Sequence, residues 1–271
     1  MSKWLKVAFF AALAIGAGFL FGTVCGQIGE AYALILAPSR QLLGLLLRLL
    51  LAAGALAVSA GFVAALVRPV WVGFIAFSLA GLAMLLGWQV AAPSGILVAL
   101  YLLGAFVYAV GVARELNERM VFSVRPIAQG QGVLLMALML VACGSLYLGY
   151  AAHVEQEGFS IPESYLETLM EQMEKRIETQ VPAEERADAV AEFRQEFQRT
   201  VDEFLERTVK PYERFVPLGI AVSVFMSLLT ITRLLAWVPT AVLDIGFRLL
   251  AALRVTETVL ETREVQRLVI G

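Results

Sequence analysis

From Trp4 to Val24 the chain carries a single charge, Lys6, in an otherwise almost wholly apolar run. An α-helix rises 1.5 Å per residue, so about 20 such residues cross the ~30 Å hydrocarbon core of a bilayer. Five further runs have the same character, with at most one charge each: about Leu42 to Val67, Val70 to Val90, Ile96 to Ala113, Gly132 to Ala152 and Phe215 to Trp237. Backbone in hydrocarbon must satisfy its own hydrogen bonds, which for runs of this length means helix. Hydrophobic residues make up 59% of the chain, above the roughly 45–50% usual for soluble domains. The sequence therefore predicts an all-α integral membrane protein with about six transmembrane helices.

One segment departs from this pattern. The 62 residues from His153 to Arg214 hold 16 of the 23 acids but only eight of the 21 Lys and Arg, giving −8. The formal net charge is −2, so the remainder carries +6. Within the acidic segment Ser160, Pro162 and Glu163 form a helix start, with a capping hydroxyl, an early proline and an acid in the first turn. Leu166, Met170, Met173 and Ile177 follow in a heptad-like seam. Val181-Pro182 breaks the helix, and Val190, Phe193, Phe197, Val201, Phe204 and Thr208 continue a similar stripe in a second. The reading is an extramembrane antiparallel helical hairpin, coiled-coil in pattern, between spans five and six. Its partner-binding candidates are Leu166, Met170, Met173, Phe193, Phe197 and Phe204. The organisation is then 1–152 for spans one to five and 153–214 for the hairpin. Residues 215–254 hold span six and an interfacial helix, and 255–271 form a tail.

The spans carry packing and orientation signals. Ala14, Gly18 and Gly22 recur every fourth residue, as do Ala57, Gly61 and Ala65, a spacing that lets helices approach closely. Arg68-Pro69 ends span two, and Trp71 and Trp88 flank span three as an aromatic belt. Lys3, Lys6, Arg68, Arg114, Arg119 and Arg125 fall on one side of the bundle. The positive-inside rule then places both ends of the chain in the cytoplasm and the hairpin outside, in a cell inner membrane. Lys3 and Lys6 before an apolar stretch resemble a secretory signal. That stretch, Val7 to Val24, is longer than the roughly 7–15 residues of a cleaved one, so it reads as a retained span. Residues Thr240 to Leu253 are apolar but interrupted by Asp244 and Arg248. They read as an interfacial helix or a continuation of span six out of the membrane. Val255, Val259, Val265 and Val269 give the tail a weak strand pattern.

The intramembrane polar candidates are Arg233, Asp244 and Arg248. Arg233 lies late in span six. A membrane boundary near Leu235 would let it reach headgroups, and otherwise it faces a polar interior. Asp244 and Arg248, four apart, pair on one helix face. Nothing points to a cofactor or metal: His153 is the single histidine, and Cys25 and Cys143 lack ligand spacing. No basic cluster tracks a phosphate backbone, so nucleic acid is not an expected partner. With one histidine there is no serine-type triad, and no glycine-rich phosphate loop is present. Gly130-Gln131-Gly132 is a short glycine pair at a helix start. The leading expectation is a membrane scaffold or accessory subunit that uses the outer hairpin to assemble with a second copy or another membrane protein. The alternatives are a small channel or transporter gated by the hairpin, and, third, a lipid-acting enzyme.

Overall fold

A computed structural model describes residues 3–31, 40–67, 69–88, 90–118, 124–158, 209–253 and 255, with Met170 and scattered positions from Phe193 to Arg207. All six apolar runs are helical: α1 Lys3–Glu30, α2 Arg40–Leu66, α3 Val70–Gly87, α4 Ala92–Glu118, α5 Arg125–Glu157 and α6 Val216–Leu235, with α7 Trp237–Ala252 after it. The described residues contain no strand. Six stretches are long and apolar enough to cross a membrane, the last of them Lys210–Ala252. Leu43, Leu86, Leu103 and Leu234 stand exposed around the outside. A soluble domain buries such residues, whereas hydrocarbon accepts them. The chain is an all-α integral membrane protein.

Local chemistry sets the element ends. Pro69 is extended before α3, and Ser94 closes the turn into α4 by accepting from the Ala91 N–H and donating to the Ala91 carbonyl. Pro126 opens α5, where a missing N–H costs nothing. The helix stops at Gly158, whose φ of +77° is open to glycine at little cost. Between α6 and α7 the chain turns at Ala236, whose N–H reaches only back to Arg233. Pro239 cannot donate to Leu235, which is the cause of the break.

α1 is the centre of the bundle. On one side it runs parallel to α3, with Gly18 against the Ala80 carbonyl and Gly22 against that of Met84. The Ala14-Gly18-Gly22 stripe expected from the sequence is this seam, and Ala14 is fully buried. On another side α1 runs parallel to α5. The Ser145 hydroxyl donates to the Cys25 carbonyl at 2.5 Å, and Gly149 meets the Gly29 carbonyl. α4 lies antiparallel to α5, with Leu97 on Gly144, Gly104 on Ala137 and Tyr108 on Gly130.

Changing Ser145 to alanine removes the α1–α5 hydrogen bond and is expected to cost about 0.5–1 kcal/mol, the usual worth of such a bond in a membrane. Changing it to valine adds bulk where even a Cβ on Gly29 would stand only 3.3 Å from the present hydroxyl, and is expected to cost more. Thermal midpoints in detergent check the order: alanine slightly below wild type, valine below alanine.

α7 does not leave the bundle. It packs back along α2 and α5: Leu243 fills the notch at Gly61 beside Ile127, Gly246 receives Phe62, and the Phe62 and Phe247 rings sit 5.1 Å apart. Its far end approaches the start of α1, where Lys6 Nζ donates to the Val255 carbonyl at 2.6 Å. The small residue at 61 and the kink at Pro239 together let α7 lie inside the height of the bundle.

Candidate functional site

The described part of the chain gathers no catalytic cluster and no group of three His, Cys, Asp or Glu able to hold a metal. Cys25 and Cys143 are buried free thiols within the core. The informative region is the last span, α6 with α7.

Two polar residues tie this span to the bundle. Gln131 is 1% exposed. Its amide donates weakly to the Ala57 carbonyl at 3.5 Å, and its carbonyl oxygen accepts from the Thr240 hydroxyl at 3.3 Å. The bonds link α2, α5 and α7 at one level. Amides at buried positions of a helix bundle serve as interhelical glue, and these two bonds use one donor and one acceptor site of the Gln131 amide. Sequence reasoning passed over Gln131 as part of a short glycine pair; its signal was a lone amide at the start of an otherwise apolar run. Leu228, higher on α6, shares a cavity of about 250 Å³ with Ala142 and Cys143 of α5. The Thr240–Gln131 bond, Leu243 with Ile127 at Gly61, and the cavity that Leu228 and Ala142 both line define the antiparallel register of α6–α7 on α5.

Arg233 lies between those points and is exposed on the outside of the bundle. Its neighbour Thr232 faces inward, with its hydroxyl donating to the Leu228 carbonyl at 2.8 Å. Asp244 and Arg248 pair at 2.7 Å, partly exposed. At an exposed position an i,i+4 pair contributes about 0.3–0.5 kcal/mol, so this one is a local surface feature. Phe193 and Phe197 are half-buried and stacked with centroids 5.8 Å apart, Met170 is half-buried, and Phe204 is 57% exposed. Leu166, Met173, Ile177, Val190, the Ser160–Glu163 helix start, the Val181-Pro182 turn and the tail beyond Val255 lie outside the described residues.

One face of α6 is uncovered along most of its length. Gly219, Ser223, Met226, Thr230 and Arg233 follow each other at alternating spacings of four and three, and every one of them is exposed. Alternating three-four spacing is the 3.5-residue repeat by which one helix lies along another. The hydroxyl members make no demand on a neighbour. Ser223 and Thr230 donate to the carbonyls of Gly219 and Met226, 2.8 and 3.0 Å away. A Cβ added at Gly219 would meet nothing. The pattern was readable in the sequence, but an amphipathic search overlooks it because its residues mix small, apolar and charged side chains.

Two larger hollows flank this span. One, of about 840 Å³, is lined by Gly16, Leu20, Gly54, Ser59, Thr232 and Val238 among others. It is bounded by the exposed Leu47 and Leu51, so it opens toward the surrounding hydrocarbon. The other, of about 720 Å³, lies between Tyr147, Glu155, Lys210, Glu213 and Arg214. No family model, curated protein or solved structure matches the chain.

Proposed function

We propose that the protein is a scaffold or accessory subunit of a larger assembly in a cell inner membrane. In this reading its last span and the hairpin above it form the docking side, with both ends of the chain cytoplasmic and the hairpin outside. The observation that carries the reading is the uncovered three-four seam of α6 from Gly219 to Arg233. The other five spans bury between 39 and 56% of their apolar window within the chain, the last only 22%. A span held so lightly by its own bundle has its outer face free for another subunit, and small residues along that face allow close approach. Phe204, in the segment read as the hairpin, is exposed as well.

Photo-crosslinkers at Met226 and at Leu103, both exposed on opposite parts of the bundle, test this in native membranes. Met226 is expected to yield a protein adduct and Leu103 only lipid. Lipid adducts alone at both positions, with a native mass equal to one chain, would remove the reading.

A further inference from the structure

The depth of Arg233 follows from three registers. α3 has 18 residues, about 27 Å of helix, close to the thickness of the hydrocarbon core; its middle therefore marks the middle of the bilayer. Ala80, within two residues of that middle, meets Gly18 of α1. Cys25 of α1 meets Ser145 of the parallel α5, so Gly18 stands level with Leu138. The antiparallel register of α6–α7 on α5, with Leu228 and Ala142 lining one cavity and Thr240 bonded to Gln131, brings Arg233 to the same level. An exposed guanidinium thus sits at mid-bilayer, where insertion is strongly penalised and headgroups lie beyond easy reach.

No acid of the described bundle stands at that level. Asp244 is bound to Arg248 and lies 11 residues further along, about 16 Å of helix. Glu30 and Glu115 belong to the ends of α1 and α4. A second copy docked through the same seam would set Arg233 against Arg233, since the membrane keeps both copies in one orientation. The occupant therefore belongs to another protein. Resting on the docking role given above, we propose that α6 pairs with a transmembrane helix of a different protein that carries a carboxylate at mid-bilayer depth, opposite Arg233. Gly219 and Ser223 let the partner backbone approach, and the planar guanidinium offers two parallel donors to the carboxylate.

The full-length protein in nanodiscs, labelled on an exposed residue of α4, is titrated with a synthetic Leu/Ala transmembrane helix bearing one central Glu. Identical helices with Gln or Leu at that point are the comparators, and energy transfer reads association. The Glu helix is expected to associate at least tenfold more tightly than the Gln or Leu helix. Arg233→Leu is expected to abolish that preference, and Arg233→Glu to transfer it to a helix with a central Lys. Equal association of the three helices with the wild type overturns the carboxylate proposal while leaving the docking role standing. Absence of any association, together with lipid-only adducts at Met226, overturns both. Dependence of the Arg233 effect on anionic lipid, with equal probe binding, assigns the guanidinium to a lipid phosphate and also overturns the proposal. Because the decisive comparison changes the probe and not the protein, misfolding of a variant does not blur it.

Discussion

Replacing Gly22 with valine is expected to keep the bundle from closing. A Cβ at Gly22 would overlap the Met84 carbonyl, and one at Gly18 would overlap that of Ala80. Both obstacles are backbone, so they cannot rotate aside as a side chain would. Overpacking by a methylene or two in a packed core costs typically 1–3 kcal/mol. Valine adds three carbons against a helix backbone, and its displacement of α1 would spread to α5 through Ser145 and Gly149. A loss of about 3 kcal/mol or more is a large part of the 5–15 kcal/mol that holds a folded domain. The expected result is a sharp fall in monodisperse protein after extraction and a thermal midpoint lower by well over ten degrees, or no folded protein. Gly54→Ala is the control, because nothing lies within 4 Å of its added Cβ; its midpoint is expected to stay within the range of a neutral surface change. A folded Gly22→Val protein with an unchanged midpoint would sink the close parallel contact of α1 with α3.

Leu243→Ala is the second large expected effect. Leu243 is fully buried, with its branched end in the notch left by Gly61 beside Ile127. In a soluble core, Leu→Ala costs about 2–5 kcal/mol, the sum of lost transfer energy and the cavity left behind. Within a membrane the transfer part is nearly absent, since the surrounding lipid is as apolar as leucine. The packing and cavity part remains, so the expected loss is near the lower limit, about 2 kcal/mol. It should appear locally: hydrogen exchange over α7 should rise while that over α1 and α3 stays low. Leu249→Ala, 59% exposed on the same helix, should leave exchange unchanged. Equal protection of α7 in both variants would show that the Gly61 notch does not hold it. Gln131→Ala, which cuts the bonds to Ala57 and Thr240, is expected to act in the same direction and more weakly, by about 1 kcal/mol.

Much of the architecture could be read directly from the order of residues. Run length and charge depletion are one-dimensional properties, and bilayer thickness converts them into helices without reference to any neighbour. The six spans, the small-residue stripe on α1, the Pro69 stop and the Asp244–Arg248 pair belong to this class, because each depends on residues a few positions apart. What only the tertiary structure decided was which helix meets which stripe and at what height. Nothing in the residues 14 to 22 says that their partner is the carbonyl row of Ala80 and Met84. Nothing near Thr240 says that its hydroxyl meets Gln131, 109 positions earlier. The level of Arg233 in the bundle is of the same kind: hydropathy along α6 is compatible with a boundary at Leu235, and only the packing of α7 against Gly61 and Ile127 shows the helix continuing along the bundle beyond that point. Helix formation in lipid is settled by each segment with its solvent, whereas register and depth are settled by van der Waals fit between segments far apart in the chain.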